Sequence, residues 1–146
     1  MKINQLSVFL ENKPGQLSEP CRVLANAGVN ILTLSLADTQ QFGIMRLIVR
    51  DWAKAKTVLE QAGCVVKVTE VVAIEVQDRP GGLAGVLEVL EVGGQNIEYM
   101  YAFTFRRGDS AVLVFRFDDP DSAVELLKSK GINMIGSVEL YERTQD

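Results

Sequence analysis

The sequence predicts an α+β protein built from two tandem copies of one βαββαβ unit. Three observations support this prediction. Matched residues recur 66 to 68 positions apart, strand-like and helix-like segments follow the same order in both halves, and glycines end the predicted helices at matched places. Together they indicate a duplicated unit.

The duplication is clearest at a Pro-Gly turn. Asn12-Lys13-Pro14-Gly15-Gln16-Leu17 matches Asp78-Arg79-Pro80-Gly81-Gly82-Leu83, with the prolines 80 − 14 = 66 positions apart. The same offset matches Val23-Leu24 with Val89-Leu90, Gly28 with Gly94, Asn30-Ile31 with Asn96-Ile97, and Arg50 with Arg116. At an offset of 68, Ala55, Leu59 and Gly63 match Ala123, Leu127 and Gly131, which predicts two extra residues near residues 118–120. The predicted repeats are residues 1–69 and 70–146.

The first repeat begins with a period-two strand in which Leu6, Val8 and Leu10 share one face. After the Pro-Gly turn, apolar residues at helical spacing predict a helix that ends at Gly28. Strands at residues 30–37 and 44–49 follow. Asp51 is the predicted N-cap of a second helix, which ends at Gly63 before a strand at residues 65–69.

The second repeat predicts the same order: a helix at residues 83–92, strands at 96–105 and 111–117, a helix at 120–130 and a strand at 132–141. Residues 64–77 are almost continuously strand-like, so we expect one strand to run from the first repeat into the second, as a rigid junction. Each unit is then a split βαβ, or ferredoxin-like, arrangement with both helices on one face of an antiparallel sheet.

Composition excludes several classes of protein. A chain of 146 residues with 47% hydrophobic and 23% charged residues is typical of a globular protein, and its net charge of −4 disfavours binding to nucleic acid. Apolar stretches are too short for a membrane span and the N-terminus lacks the core of a signal peptide, so we expect a cytoplasmic location. With no histidine and no CxxC spacing of Cys21 and Cys64, we expect reduced cysteines, no metal, no cofactor and no catalysis.

The repeated Pro-Gly loop has a structural and a functional interpretation. Pro and Gly form a tight turn, and the polar residue before them caps the following helix. Alternatively, the start of that helix and the glycine backbone attract a carboxylate, while Asn12 or Asp78 and nearby carbonyls accept from an ammonium group. The second interpretation describes a site for an α-amino acid.

The motif Asn/Asp-x-Pro-Gly-x-Leu, a helix ending in Gly, and Asn-Ile opening the second strand together resemble the ACT domain. The resemblance covers essentially the whole chain, twice. It extends to the strings at residues 37–49 and 96–103, which resemble those of stand-alone bacterial proteins with tandem ACT domains.

Membership in this family implies a regulatory, non-catalytic protein that binds an amino acid between its two units, with the first loop of one unit facing the second strand of the other. It implies that the two units lie side by side and form an extended antiparallel sheet with the helices on one face. It also implies a homodimer, through sheet or helix faces, and a regulated partner protein. The resemblance nominates two unequal sets of ligand-binding residues. They are Asn12, Lys13, Pro14, Gly15, Gln16 and Leu17 with Asn96 and Ile97, and Asp78, Arg79, Pro80, Gly81, Gly82 and Leu83 with Asn30 and Ile31. Asn30 and Asn96 also suit a local turn.

Three alternatives remain open from the residues. Alternation predicts that Ile97, Tyr99, Tyr101, Phe103 and Phe105 share one strand face, either as core or as an interface that takes a partner or stacks RNA bases. Arg46 is either a solvated edge residue or a clamp for a carboxylate. Arg79 near Asn96 would imitate a small acylphosphatase-type enzyme of ferredoxin-like fold.

Overall fold

The computed structural model describes residues 1–38 and 40–143, and for residues 104–107 the backbone alone. It contains the following elements: β1 (Lys2–Glu11), α1 (Ser18–Asn26), β2 (Ile31–Asp38), β3 (Phe42–Val49), α2 (Trp52–Gln61), β4 (Val65–Gln77), α3 (Gly82–Val92), β5 (Ile97–Arg107), β6 (Ser110–Phe117), α4 (Pro120–Ser129), β7 (Met134–Ile135) and α5 (Ser137–Arg143). The chain divides into two compact units. We call Asn4–Thr69 the N-terminal unit, and Met1–Ile3 with the chain from Glu70 onward the C-terminal unit.

In the N-terminal unit the strands lie in the order β2-β3-β1-β4. Alternate residues of β1 and β3, among them Val8 and Leu47, face α1 and α2 and form one core with Leu24 and Leu59. Asp51 caps α2 as predicted, since its carboxylate accepts from the backbone N–H of Lys54 at 3.1 Å. Both helices therefore cover one face of an antiparallel sheet.

The C-terminal unit repeats this plan with the strand order β5-β6-β4-β7. Its core joins Ile74 and Phe115 to Leu90 of α3 and Leu127 of α4. Asp119 caps α4 as Asp51 caps α2, accepting from the backbone N–H of Ser122 at 3.2 Å. The predicted α+β fold of two ferredoxin-like repeats is confirmed.

Strand β4 is continuous from Val65 to Gln77, as the unbroken strand-like pattern predicts. Its first residues belong to the N-terminal unit, and from Glu70 onward it belongs to the C-terminal unit. Lys2 is also part of the C-terminal unit, where its ammonium lies 2.8 Å from Asp121 and 3.3 Å from Glu70.

The two extra residues of the second repeat lie in β5, so the prediction that places them near residues 118–120 is wrong. Leu36 pairs with Met45 and Asp38 with Gly43, whereas Ala102 pairs with Leu113 and Arg106 with Ala111. Between these equivalent pairs β2 advances by two residues and β5 by four, so the two extra residues lie in β5. Residues of β6 consequently match those of β3 at an offset of 68. Arg50 consequently corresponds to Asp118 and not to Arg116.

A β-bulge between Ile97 and Tyr99 overturns the prediction that Ile97 shares a face with the aromatic residues of β5. Ile97 pairs with Phe117 and packs against the helix-side core, whereas Tyr99 pairs with Arg116 on the other face. A bulge lengthens one strand by a residue and so reverses the alternation of its side chains. The same bulge occurs between Ile31 and Thr33.

The strand predicted at residues 132–141 is also wrong for most of its length. Only Met134–Ile135 pairs with β4, and Ser137–Arg143 forms the helix α5. Gly136 ends the strand, and its carbonyl accepts from the backbone N–H of Leu140, which is buried. In a segment this short, apolar residues can fit both the helical period of 3.6 and the strand period of 2, so the pattern did not distinguish α5 from a strand.

Candidate functional site

The predicted loop of the N-terminal unit is tied to the β2–β3 hairpin. The backbone N–H of Asn12 donates to the carbonyl of Gln41 at 2.9 Å, and its side-chain Nδ2 donates to the carbonyl of Gln40 at 2.8 Å. The ammonium of Lys13 lies 3.0 Å from the carboxylate of Glu11. Gly15 has a φ of 90°, a conformation that favours glycine. The Asn12 amide therefore holds a turn.

A small cavity of about 140 Å³ lies beside this loop. Asn12, Lys13 and Leu17 line it, with Leu36 and Asp38 among the residues opposite. Pro14, Gly15 and Gln16, also predicted for the site, are not part of this lining. Sites for small molecules usually enclose about 300–1,000 Å³, so this space is small for a ligand.

The loop of the C-terminal unit has the same tie to its hairpin. The backbone N–H of Asp78 donates to the carbonyl of Asp109 at 2.6 Å, as Asn12 does to Gln41. Gly81 has a φ of 85°. At Gly82 a Cβ would collide with the carbonyl of Gln77, so this close approach of the backbone requires glycine.

A larger cavity of about 420 Å³ lies beside the loop of the C-terminal unit. Arg79, Gly81 and Gly82 line it on the loop side. A second, more polar cavity of about 360 Å³ is lined by Gln77, Asp78, Arg79, Asp109 and Ser110. The structure thus brings four of the six predicted loop residues to cavities of ligand size, and Pro80 and Leu83 are not among their lining residues.

The wall opposite the loop combines apolar and polar groups that the sequence did not predict. Val86, Val89 and Ile132 supply apolar surface, and Glu75 and Asn133 supply polar groups. The cavity therefore offers a cation, an anion, an amide and an aliphatic wall in one unit, a combination suited to a small zwitterion with an apolar side chain.

Glu75 is held firmly at this wall. Asn133 Nδ2 donates to its carboxylate at 2.7 Å, and the Arg143 guanidinium lies 3.3 Å away. Burial by itself raises the pKa of Glu75, but the hydrogen bonds from Asn133 and Ser110 and the charge of Arg143 outweigh it, so the pKa lies below the ordinary 4.5. Glu75 is therefore an anion at neutral pH. Its partners Asn133, Ser110 and Arg143 lie 35 to 68 residues further along the chain, so no local sequence signal indicated them.

Four of the nominated residues lie at the start of the second strand of a unit. Of these, Asn96, Ile31 and Ile97 make contacts within their own units. Asn96 Nδ2 donates to the carboxylate of Asp118 at 2.9 Å, so this amide joins the start of β5 to the residue after β6 and does not close a local turn. Asn30 is exposed just before β2. Ile31 and Ile97 pack against the cores of their units.

The geometry of β6 separates Arg79 from Asn96 and so contradicts the pairing of these two residues on which the acylphosphatase-type alternative depends. Gln77, two residues before Arg79, pairs with Ser110 at the start of β6, whereas Ile97 pairs with Phe117 at its end. At about 3.4 Å per residue, the two ends of β6 are roughly 20 Å apart. Within the described residues, no cluster of Cys, Asp or Glu has the arrangement of a metal site.

The aromatic face of β5 is largely covered. Phe103 is buried, Tyr99 and Tyr101 are half-buried, and the side chain of Phe105 lies outside the described residues. Base stacking on a sheet needs exposed rings, so this face does not suit RNA.

Arg46 is not an edge residue, because β3 pairs with both β1 and β2. Its neighbours Met45 and Leu47 belong to the core, so strand alternation places Arg46 on the opposite face. It is opposite Ser7 and Ser35 and is half-buried.

The two cysteines are free thiols and partly buried. Both pack against the core of the N-terminal unit. Burial raises the pKa of Cys64, and the negative charge of Glu19 adds to the rise. In the part of the chain that the structure describes, no helix is long and apolar enough to span a bilayer.

Comparisons with known proteins agree with this architecture. The family described as "ACT domain pair" matches residues 1–143. Protein BT0572 from Bacteroides thetaiotaomicron is 40% identical, with a TM-score of 0.90 over 97% of this chain and 96% of that one. The regulatory subunit of aspartate kinase from Thermus thermophilus is 15% identical, with a TM-score of 0.61 over 86% of this chain and 91% of that one, a likeness of fold. Among curated proteins, none matches the chain.

Proposed function

The chain belongs to the ACT domain family, as a pair of ACT domains, and from this premise we propose that it is a regulatory protein that binds an amino acid. The family and the likeness to regulatory subunits support a regulatory, ligand-binding role. The proposal adds the amino acid and assigns residues 1–69 and 70–146 to the two domains.

The observation that carries the proposal is the cavity of about 420 Å³ beside the loop from Arg79 to Gly82. An α-amino acid needs a cation or N–H donors for its carboxylate and oxygen acceptors for its ammonium group. Arg79 supplies the cation. The carboxylate of Glu75 and the side-chain oxygens of Gln77 and Asn133 supply acceptors. Val86, Val89 and Ile132 favour a ligand with an aliphatic side chain.

The two predicted pockets differ under this proposal. The loop of the N-terminal unit adjoins only about 140 Å³, and its Asn12 amide holds the hairpin. We therefore assign ligand binding to Asp78, Arg79, Gly81 and Gly82, and a mainly structural role to Asn12, Gly15 and Leu17. A ligand regulates by preferring one state of the protein over another, and the output lies in assembly or in a separate partner protein.

Thermal melts of the full chain against the twenty amino acids, with ATP and RNA as controls, test the proposal. A ligand at about 100 times its Kd adds about 2.7 kcal/mol, which raises the Tm of a chain of this size by several degrees. We expect an aliphatic amino acid to produce the largest shift. A shift with RNA and none with any amino acid would refute the proposal.

Two variants locate the site, because Arg79 and Lys13 occupy equivalent positions and are both exposed. Arg79→Ala removes the cation at the larger cavity and is expected to abolish most of the ligand-induced shift. Lys13→Ala is the matched control and is expected to retain it. Equal losses in the two variants would place the ligand elsewhere.

A further inference from the structure

The carboxylate of Glu75 has a cation beside it that the larger cavity does not contain. Glu75 is part of the lining of that cavity, where its charge is available to a ligand. The guanidinium of Arg143 lies 3.3 Å from the same carboxylate, but Arg143 is not part of the lining. Arg143 therefore acts on Glu75 from outside the cavity.

The charge of Arg143 is poorly screened by water. The side chain of Arg143 is 14% exposed and that of Glu75 is 23% exposed, so their interaction passes mostly through protein. Arg143 also lies 2.6 Å from Glu139, whose side chain is 46% exposed, so water weakens the effect of this second carboxylate at the cavity. Arg143 thus offsets part of the negative charge that Glu75 presents to a ligand.

The orientation of Glu75 does not depend on Arg143. Asn133 Nδ2 donates to the carboxylate at 2.7 Å, and the hydroxyl of Ser110 donates to it as well. Strong hydrogen bonds from a cation to a carboxylate are about 2.7–2.9 Å long, so the 3.3 Å contact of Arg143 is a weak one. The main contribution of Arg143 is therefore its charge.

This charge bears on one group of the ligand more than on the others. An ammonium group at Glu75 is attracted by the carboxylate and repelled by the guanidinium behind it. A 2-hydroxy acid with the same carbon skeleton has a neutral hydroxyl in place of the ammonium group, and it keeps the carboxylate and the aliphatic chain. Comparing the two ligands isolates the interaction with Glu75.

We propose that Arg143 is a specificity-determining residue, which limits how strongly the site prefers an amino acid to the corresponding 2-hydroxy acid. It acts through Glu75, so the ligand is held mainly by its carboxylate and its aliphatic side chain. This inference rests on the proposed binding of an amino acid in the larger cavity.

Titration calorimetry of the full chain at neutral pH tests the inference. The ligands are valine and leucine, each with its 2-hydroxy acid, and the quantity compared is the Kd of the hydroxy acid divided by that of the amino acid. Arg143→Gln is expected to raise this ratio at least about tenfold, because Glu75 then attracts the ammonium group without opposition. A merely structural role of Arg143 would weaken both ligands alike and leave the ratio unchanged.

Three further variants separate charge from packing. Arg143→Lys keeps the charge and is expected to hold the ratio within about threefold of the original. Arg143→Met keeps an apolar stem without the charge and is expected to behave as Arg143→Gln does. Glu139→Gln, the matched control, removes the other contact of Arg143 on α5 and is expected to change the ratio by less than about threefold. Circular dichroism verifies that each variant folds.

The outcomes distinguish this inference from the proposed function. If the amino acids bind but both uncharged variants leave the ratio unchanged, Arg143 does not set the preference and the proposed function stands. A lower ratio in these variants would also overturn the inference, since Arg143 would then help Glu75 to bind the ammonium group. If no ligand of either kind binds the original chain, the proposed function fails and the inference fails with it.

Discussion

The guanidinium of Arg143 lies 3.3 Å from the carboxylate of Glu75, although 68 residues separate them. The same guanidinium lies 2.6 Å from Glu139 on its own helix, and Asn133 donates to Glu75 from the loop before β7. These contacts attach α5 to β4 at the end of the C-terminal unit. The helix therefore takes part in holding the wall of the larger cavity.

Glu75 is expected to make stability depend on pH. Its pKa is lower in the folded chain than the ordinary 4.5, so the unfolded chain binds more protons below that pH. The stabilisation is present above about pH 4.5 and is lost as the pH falls through the folded pKa. We expect Glu75→Gln to lower the urea midpoint more at about pH 7 than at about pH 3. Glu142→Gln, an exposed change on α5, is the control. Equal losses from Glu75→Gln at both pH values would contradict the assignment.

The two N-caps are expected to contribute equally. Asp51 and Asp119 occupy equivalent positions and accept from equivalent N–H groups at 3.1 and 3.2 Å. Replacing either by alanine is expected to lower the free energy of unfolding by about 1 kcal/mol, whereas asparagine, itself a good cap, retains most of it. Urea denaturation measures both series. If the alanine variant at either position loses no more free energy of unfolding than the asparagine variant, the cap at that position does not stabilise its helix.

Gly82→Ala is expected to destabilise the chain because the added Cβ meets the backbone carbonyl of Gln77, which cannot rotate away. We expect a loss of about 1–3 kcal/mol, typical of overpacking. Gly85→Ala is the matched control three residues later in α3. Its Cβ points into open space, and alanine favours a helix over glycine by up to about 1 kcal/mol. Thermal melts should therefore shift in opposite directions, and a neutral Gly82→Ala would show that the loop relaxes freely.

Cys64 is expected to react slowly with thiol reagents in the folded chain. Its pKa is raised, so less of it is thiolate at a given pH, and the side chain is partly buried. A Cys21→Ser variant isolates this thiol. Its labelling rate near pH 8 should rise steeply in urea, once burial is removed. A rate already equal to that of the unfolded chain would mean that burial does not protect the thiol.

Much of the fold could be predicted because periodicity and caps are local signals. The helix that Asp51 caps and the unbroken strand from Val65 to Gln77 follow from neighbouring residues alone. The bulge after Ile97 and the two extra residues of β5 could not be predicted, because both depend on which residues pair across strands. Nor could the contacts of Glu75, since its partners Asn133 and Arg143 lie far along the chain. For the candidate site, the sequence named the loop at Arg79, which lines the larger cavity, but not Val86, Ile132 and Asn133, which line it as well.

The bulge at the start of the second strand of each unit bears on the ancestry of the chain. It occurs between Ile31 and Thr33 and again between Ile97 and Tyr99, at positions that differ by the same 66 residues. An irregularity shared by both copies at one place is most simply inherited from a single-unit ancestor. The difference of two residues between β2 and β5 distinguishes the two copies and so arose after the gene was doubled, by a gain in one copy or a loss in the other. The hairpins β2–β3 and β5–β6 are therefore a place where the two halves of the molecule have diverged in length.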